Sequence, residues 1–412
     1  MQALQAHSVG PRRRRWGKPA ALALALVAVL AVVGGIVYAR TRGGATGVVC
    51  TRGVSCSSHA KSPAVAASVG KLSVASTSPS AGATGVASNT TVGVTFTAAV
   101  KGGVSPTITP PVTGGWSRPH PDELLFSPTA PFLPYTKYTV SVPGGNGGVT
   151  STDGAHLRSS TTVSFTIAPG STKRLQELLA ELGYLPLSYA GPTPAPQDMA
   201  MPQPGTLTWK WAGLPSALTG QWNAGVPSAL TKGAVMTFET ENGLAVDGIP
   251  GPVVWTALIH DAASDKANTQ SLTYVLVTKN LSPSEHLTAW VNGSLAFHDV
   301  LVNTGVRGAT THNGTYEVFE HVRTSHMSGT DVTGTHYTIP TVPWVSYFNG
   351  GDALHYYPRA AYGFPQSNGC VEMQLATAQS LWPNTPIGTV VIVQGPTYGV
   401  TSSKNTTPAT VG

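Results

Sequence analysis

His355-Tyr356-Tyr357-Pro358-Arg359-Ala360-Ala361-Tyr362-Gly363-Phe364-Pro365-Gln366-Ser367-Asn368-Gly369-Cys370-Val371-Glu372-Met373 is the stretch on which the reading of this chain turns. Cys370 is the one cysteine outside the low-complexity N-terminal region. A thiol becomes a nucleophile near neutral pH when a base stands close, the local field favours the thiolate, and donors await the oxyanion it creates. His355 lies far enough upstream to come from a neighbouring strand or loop, and imidazole titrates in the right range. Gly369 lets the backbone approach closely just before the thiol. Val371 to Trp382 predicts a helix, whose N-terminal dipole is expected to depress the pKa of Cys370.

Ser367-Asn368-Gly369-Cys370-Val371-Glu372-Met373, preceded by His355 and followed by Gly388-Thr389-Val390-Val391-Ile392, resembles the signature of the L,D-transpeptidase catalytic domain. The resemblance implies that Cys370 is the nucleophile and His355 the base. Gly369, Ser367 and Asn368 then support the oxyanion and the loop, and Tyr356 and Tyr337 are candidates for substrate binding. It implies peptidoglycan stem peptides as substrate and no cofactor or metal. The chain departs from the family pattern at Asn368, usually His, at Glu372, often Arg, and at Tyr356, usually Gly or Ser. Gly305 followed by Thr311-His312-Asn313-Gly314 is similar to the family's Thr-Pro-x-Gly segment, with His312 in place of the proline.

Working outward, residues 270–395 form a run of short β-segments with one helix after the nucleophile. Strands are expected at Tyr274 to Val277, Leu287 to Val291, Thr315 to Phe319, Tyr337 to Ile339, Trp344 to Phe348 and Thr389 to Val393. Asn292-Gly293 is the signal of a tight hairpin. His312, His321, His326, His336 and His355 fall in this segment at spacings that match no helical metal motif.

In residues 171–262, Leu175, Leu178, Leu179 and Leu182 make one apolar stripe on a short helix that ends at Gly183. Further helices are expected from Thr231 to Glu241 and from Pro252, where proline suits a first turn. Leu175-Gln176, Leu178-Leu179 and Leu182-Gly183-Tyr184, with Asn242-Gly243-Leu244, Val246-Asp247-Gly248-Ile249 and Trp255, are similar to the three-helix peptidoglycan-binding domain. The resemblance implies glycan or stem binding. Leu185 to Leu230 is an insertion rich in Pro and Trp. Trp209, Trp211 and Trp222 either stack on sugars or pack the long loop, and packing is the simpler account.

Residues 71–168 place Val92, Val94 and Phe96, then Tyr138, Val140 and Val142, then Val163, Phe165 and Ile167 at every second position between Gly- and Pro-rich turns. That pattern predicts an antiparallel sandwich, and its motifs resemble bacterial immunoglobulin-like domains. His120, Asp122 and Glu123 lie in one loop beside prolines and are expected to be solvated.

The net charge of +6 misleads, because Arg12 to Arg15 and Lys18 supply five of those positives. The remainder carries no basic surface for nucleic acid. Residues 1–18 are a basic cytoplasmic leader and 19–39, uncharged and rich in Ala, Leu and Val, are long enough to cross a bilayer. The positive-inside rule puts everything after Arg40 outside, anchored by a single pass, with a cleaved signal peptide as the competing reading. Residues 40–70 read as a flexible tether holding Cys50 and Cys56, which pair with each other or with another chain. Residues 396–412 read as a disordered tail.

The fold class expected is therefore multi-domain and mainly β. An Ig-like β-sandwich, a small three-helix peptidoglycan-binding domain and a β-rich L,D-transpeptidase catalytic domain follow one another. The function expected is cell-wall cross-linking through a cysteine thioester. The alternatives are a catalytically decayed wall-binding scaffold or a carboxypeptidase that uses water as acceptor.

Overall fold

The computed structural model of the protein describes residues 71–280, 282 and 284–396. The basic leader, the apolar stretch 19–39, the tether with Cys50 and Cys56, and the tail from 397 lie outside the described residues. Among the described residues, no helix is long and apolar enough to cross a membrane.

The N-terminal strands are β1 (Val74–Ser78), β2 (Val92–Phe96), β3 (Thr107–Thr109), β4 (Gly114–Ser117), β5 (Glu123–Pro128), β6 (Lys137–Val142) and β7 (Thr161–Thr166). They form a four-stranded sheet in the order β1-β2-β5-β4 and a three-stranded sheet in the order β3-β6-β7. The alternation read from the sequence puts Val92, Val94, Phe96 and Phe126 of one sheet against Tyr138, Val140 and Phe165 of the other. Phe132 fills the centre, edge-on to Tyr138 and Phe165 at 4.8 and 5.7 Å between rings.

Next come α1 (Thr172–Glu181), the hairpin of β8 (Leu187–Ala190) and β9 (Thr206–Trp209), and the short α2 (Ser216–Thr219). They are followed by α3 (Ala229–Glu241) and α4 (Pro252–Ala263). Ser171 and Ser228 cap α1 and α3 by accepting from the amides three residues on. The chain leaves α1 through Gly183 at φ +82. The insertion is fastened to α1 by polar side chains. Buried Arg174 donates to Met199 O, Glu177 accepts from Gln203 N, and Gln176 bonds both Gly225 N and Val226 O. Trp209, Trp211 and Trp222 pack against the helical core, with Trp209 and Trp222 edge-on at 6.2 Å.

The remaining elements are β10 (Thr273–Thr278), β11 (His286–Val291), β12 (Ser294–Leu301), β13 (Gly314–Glu317), β14 (Glu320–Thr330), β15 (His336–Asn349), β16 (Asp352–Tyr356), β17 (Val371–Met373), α5 (Leu375–Leu381) and β18 (Val390–Gln394). One sheet runs β12-β11-β10-β18-β13 and the other β14-β15-β16-β17, with the β10/β18 and β16/β17 pairs parallel. Val275, Val277, Val391 and Val393 of the first meet Phe348, Leu354, Val371 and Met373 of the second, and α5 closes the layer with Ala378 and Leu381. The β11–β12 turn is Asn292-Gly293, both at positive φ, as the tight hairpin requires.

Two expectations are corrected. The segments at Tyr337 to Ile339 and Trp344 to Phe348 are one strand, β15, despite Pro340 and Pro343. Only Ser346 to Asn349 pair with β16, so the prolines sit where one edge of β15 has no ladder partner, and the β14 register shifts beside them. The helix expected from Val371 begins at Leu375 instead. Val371-Glu372-Met373 pair with β16, because Val371 and Met373 bury in the core between the two sheets.

Candidate active site

Cys370 immediately precedes β17, and its neighbours are set by the β16/β17 register. Leu354 pairs with Val371 and His355 with Glu372, so Ala353, His355, Cys370 and Glu372 share one sheet face and Leu354 and Tyr356 take the other. Tyr356 accordingly packs with the core between the sheets, away from the thiol. His355 is buried at 3% exposure. Its Nδ1 is 2.9 Å from Tyr356 O. A carbonyl only accepts, so Nδ1 carries the proton and Nε2 of the neutral ring is left with its lone pair.

The loop before the nucleophile is held by three groups. Ser367 Oγ donates to Cys370 O at 2.6 Å and accepts from Gly369 N at 3.2 Å. Thr311 Oγ1 donates to Gly369 O at 2.6 Å and accepts from Gly305 N at 2.9 Å. Buried Lys279 donates to Thr311 O at 2.6 Å, which fixes Thr311 in turn. Gly369 has φ +125, and a Cβ there would run into Asp352 Oδ1. Only glycine meets both conditions.

Cys370 is partly exposed and packs against the small cluster of Val342, Val345 and Ala353, two of which belong to the long β14–β15 hairpin. Its Sγ is 3.5 Å from Gly351 O, and the thiol and the imidazole share no hydrogen bond. Burial, then the neighbouring Asp352 charge, push the thiol up to about 12, against the Ala353 N–H that favours the thiolate. The helix-dipole expectation is therefore corrected. The residue after Cys370 is extended, and the field at sulfur opposes ionisation. Burial also lowers the His355 pKa, so the resting pair is a neutral thiol and a neutral imidazole.

Asn368 lies within hydrogen-bonding reach of the Tyr337 hydroxyl, which is near enough to Cys370 to feel its charge. Glu372, where the family often has Arg, is clamped by Arg359: Nε to Oε2 at 2.7 Å and Nη2 to Oε1 at 2.8 Å, with Nη2 also on Gln366 O at 3.0 Å. Arg359 stacks over Tyr357 at 4.7 Å. The segment between His355 and Ser367 is thus tied across its base.

Asp352 was not a candidate from sequence. It opens β16, three residues before His355 and directly after the Gly350-Gly351 turn. Asn349 donates to its carboxylate at 3.2 Å and His312 Nδ1 stands 3.7 Å away. Burial raises its carboxyl to about 6, against the pull of Asn349 and His312. The other histidines are dispersed: His321 stacks on Trp382 at 4.1 Å and His336 meets Thr330 at 3.1 Å. Among the described residues, no three His, Cys, Asp or Glu side chains are grouped to hold a metal.

The fold and site define a modular, mainly β chain whose last module presents a thiol and an imidazole on one sheet face above a fastened glycine loop. Residues 273–393 match the model of the L,D-transpeptidase catalytic domain, residues 69–167 that of the bacterial Ig-like domain, and residues 219–258 that of the putative peptidoglycan binding domain. Among solved structures, an L,D-transpeptidase from Mycobacterium smegmatis is similar at 14% identity, covering 79% of this chain and 100% of that one, with a TM-score of 0.27. L,D-transpeptidase 3 from Mycobacterium tuberculosis matches at 14% identity over 78% and 98% of the two chains, with a TM-score of 0.26. The catalytic domain of the E. faecium L,D-transpeptidase matches at 22% identity over 31% and 100%, with a TM-score of 0.27. No curated protein matches the chain.

Proposed function

We propose that the protein is a wall enzyme that cross-links peptidoglycan by L,D-transpeptidation through a Cys370 thioester. The observation that carries this reading is the placement of Cys370 and His355 on one face of the β16/β17 pair, with the intervening loop fixed by Ser367 and Thr311. His355 Nε2 takes the thiol proton as Sγ attacks the donor carbonyl, and the Cys370 N–H receives the oxyanion, a contribution of about 3 kcal/mol in comparable sites. Gly369 N–H is already engaged by Ser367, so it drops from the oxyanion role and Ser367 acts as a brace. Collapse expels the terminal D-alanine amine, protonated by His355. A second stem's amine, deprotonated by His355, then displaces the thiolate to form the cross-link.

The helical module and the Ig-like module fit a role in holding the catalytic module at the wall, and residues 19–39 a membrane anchor with the N-terminus cytoplasmic. Tyr337, beside Asn368 at the thiol, fits the substrate-binding role better than Tyr356 does. A second reading, a decayed wall-binding scaffold, draws on the thiol pointed at Gly351 O and disfavoured as a thiolate.

Intact-protein mass spectrometry after incubation with a tetrapeptide-stem muropeptide separates the two. An acyl adduct with D-alanine release in wild type, absent in Cys370→Ala, is the expected result. A folded wild-type protein with a free thiol and no adduct would move the assignment to the scaffold.

A further inference from the structure

Within reach of the thiol lies a carboxylate that the steps above leave unused. Asp352 is 13% exposed at its side chain, packs against the Gly369 backbone on one side, and is faced on the other by His312, which is 63% exposed. His312 lies in the segment that leads into β13, and Asp352 is the first residue of β16.

The groups around the carboxylate are few. His312 approaches from the segment that leads into β13, Tyr316 from β13 itself, Asn349 from the end of β15, and Cys370 from the nucleophile loop, while Lys279 acts from the end of β10. Lys279 commits its ammonium to Thr311 O. Among the described residues, His312 is the basic side chain within ion-pair distance of Asp352. Its side chain is exposed, and its ring nitrogen stands 3.7 Å from the carboxylate. A buried negative charge beside a thiol opposes thiolate formation, and a cation brought to that charge relieves the opposition.

Resting on the acyl-transfer reading, we propose that Asp352 is a specificity-determining residue. Its carboxylate receives an ammonium group of the donor peptide in place of His312, and that exchange eases transfer of the Cys370 proton to His355. The donor class it selects is a stem peptide with a free side-chain amine. Neutral donors leave the carboxylate with the partners it has in the free protein and acylate the thiol more slowly. No covalent step is added: the proton passes from Sγ to Nε2, and the sulfur–carbon bond forms as described above.

The test uses the purified full chain and two tetrapeptide donors that differ only in whether the side-chain amine is free or acetylated. The readout is the rate of Cys370 adduct formation. Wild type is expected to favour the free amine by about tenfold, a usual size for one close charge pair. Asp352→Asn should bring that ratio towards one, and His312→Gln, which removes the competing basic side chain, should widen it. A structural role for Asp352 would slow both donors alike and leave the ratio where it was, and that result overturns the proposal. Iodoacetamide alkylation at pH 8 reads the same charge without any peptide: Asp352→Asn should alkylate roughly tenfold faster, one pKa unit's worth. Adduct with neither donor on wild type removes the acyl-transfer reading, and the alkylation rates then decide whether Asp352 restrains the thiol. If Asp352→Asn does not fold, an unchanged ratio and unchanged alkylation in His312→Gln overturn the proposal.

Discussion

At the scale of single residues, Asp352 also sets a pH dependence of stability. Its carboxyl is raised to about 6 in the folded chain, from an ordinary value of 3.8. A raised carboxyl binds its proton more tightly folded than unfolded. Folding is therefore favoured below about 4, and that advantage is lost as pH rises through about 6. Asp352→Asn should thus be more stable than wild type at pH 7.5, by about 1–3 kcal/mol, with the difference closing as pH falls to 4. Urea titrations at the two pH values check it, and a gain that persists at pH 4 contradicts it. Removing a charge that burdens the fold is the pattern expected where a residue is kept for the site and not for stability. This residue was invisible in the sequence because its importance comes from a β-turn that folds it back on Gly369. Cys370, His355 and Ser367 were singled out by their resemblance to a known motif, and the structure brings the thiol and the imidazole to one sheet face with Ser367 bonded to the Cys370 carbonyl.

Among the elements, β17 explains why the thiol lacks a helix dipole. Apolar residues at 371 and 373 with a polar residue between them suit a strand as well as a first helical turn, and the parallel pairing with β16 decides the matter. The same pairing places Glu372 beside His355, where only a paired carboxylate is tolerable. Arg359 supplies the pair, which is unequal: the Glu372 side chain is 6% exposed and that of Arg359 28%. Arg359→Ala should strand a buried carboxylate and cost about 2–4 kcal/mol. Glu372→Gln leaves a guanidinium that can turn to water and should cost about 1–2. The double variant should cost less than the sum by at least about 1 kcal/mol. Chemical denaturation of the four proteins tests this, and strict additivity would show that the clamp does not fasten the segment before Ser367.

On the scale of the whole molecule, the helical module and the catalytic sheet are built on one core. Tyr274, Val390 and Ile392 of β10 and β18 pack with Leu175, Phe238 and Trp255 of the helices. The contact is close at the backbone: Gly233 on α3 faces Gly388 O, and Thr237 Oγ1 donates to Ile387 O at 3.3 Å. Gly388, quoted above as part of the closing motif, has φ +89, and a side chain there would strike Thr237. In this chain that glycine serves the junction as well as the turn. The Ig-like sandwich keeps its own core, and among the described residues the side-chain hydrogen bond that leaves it for the next module is Asn89 to Asp198 at 2.7 Å. Sequence patterns separated the modules because each has its own period, but nothing in a period reports that two neighbours share their apolar faces. The consequence is thermodynamic. Gly233→Val should force α3 off the Gly388 carbonyl at a cost of about 1–3 kcal/mol. Because the core is shared, the loss should lower one joint melting transition of helices and catalytic sheet by several degrees, while the sandwich transition stays in place. Calorimetry of the full chain checks it. A helical transition that moves alone, with the catalytic module melting where it did before, would mean that the two share a surface and not a core.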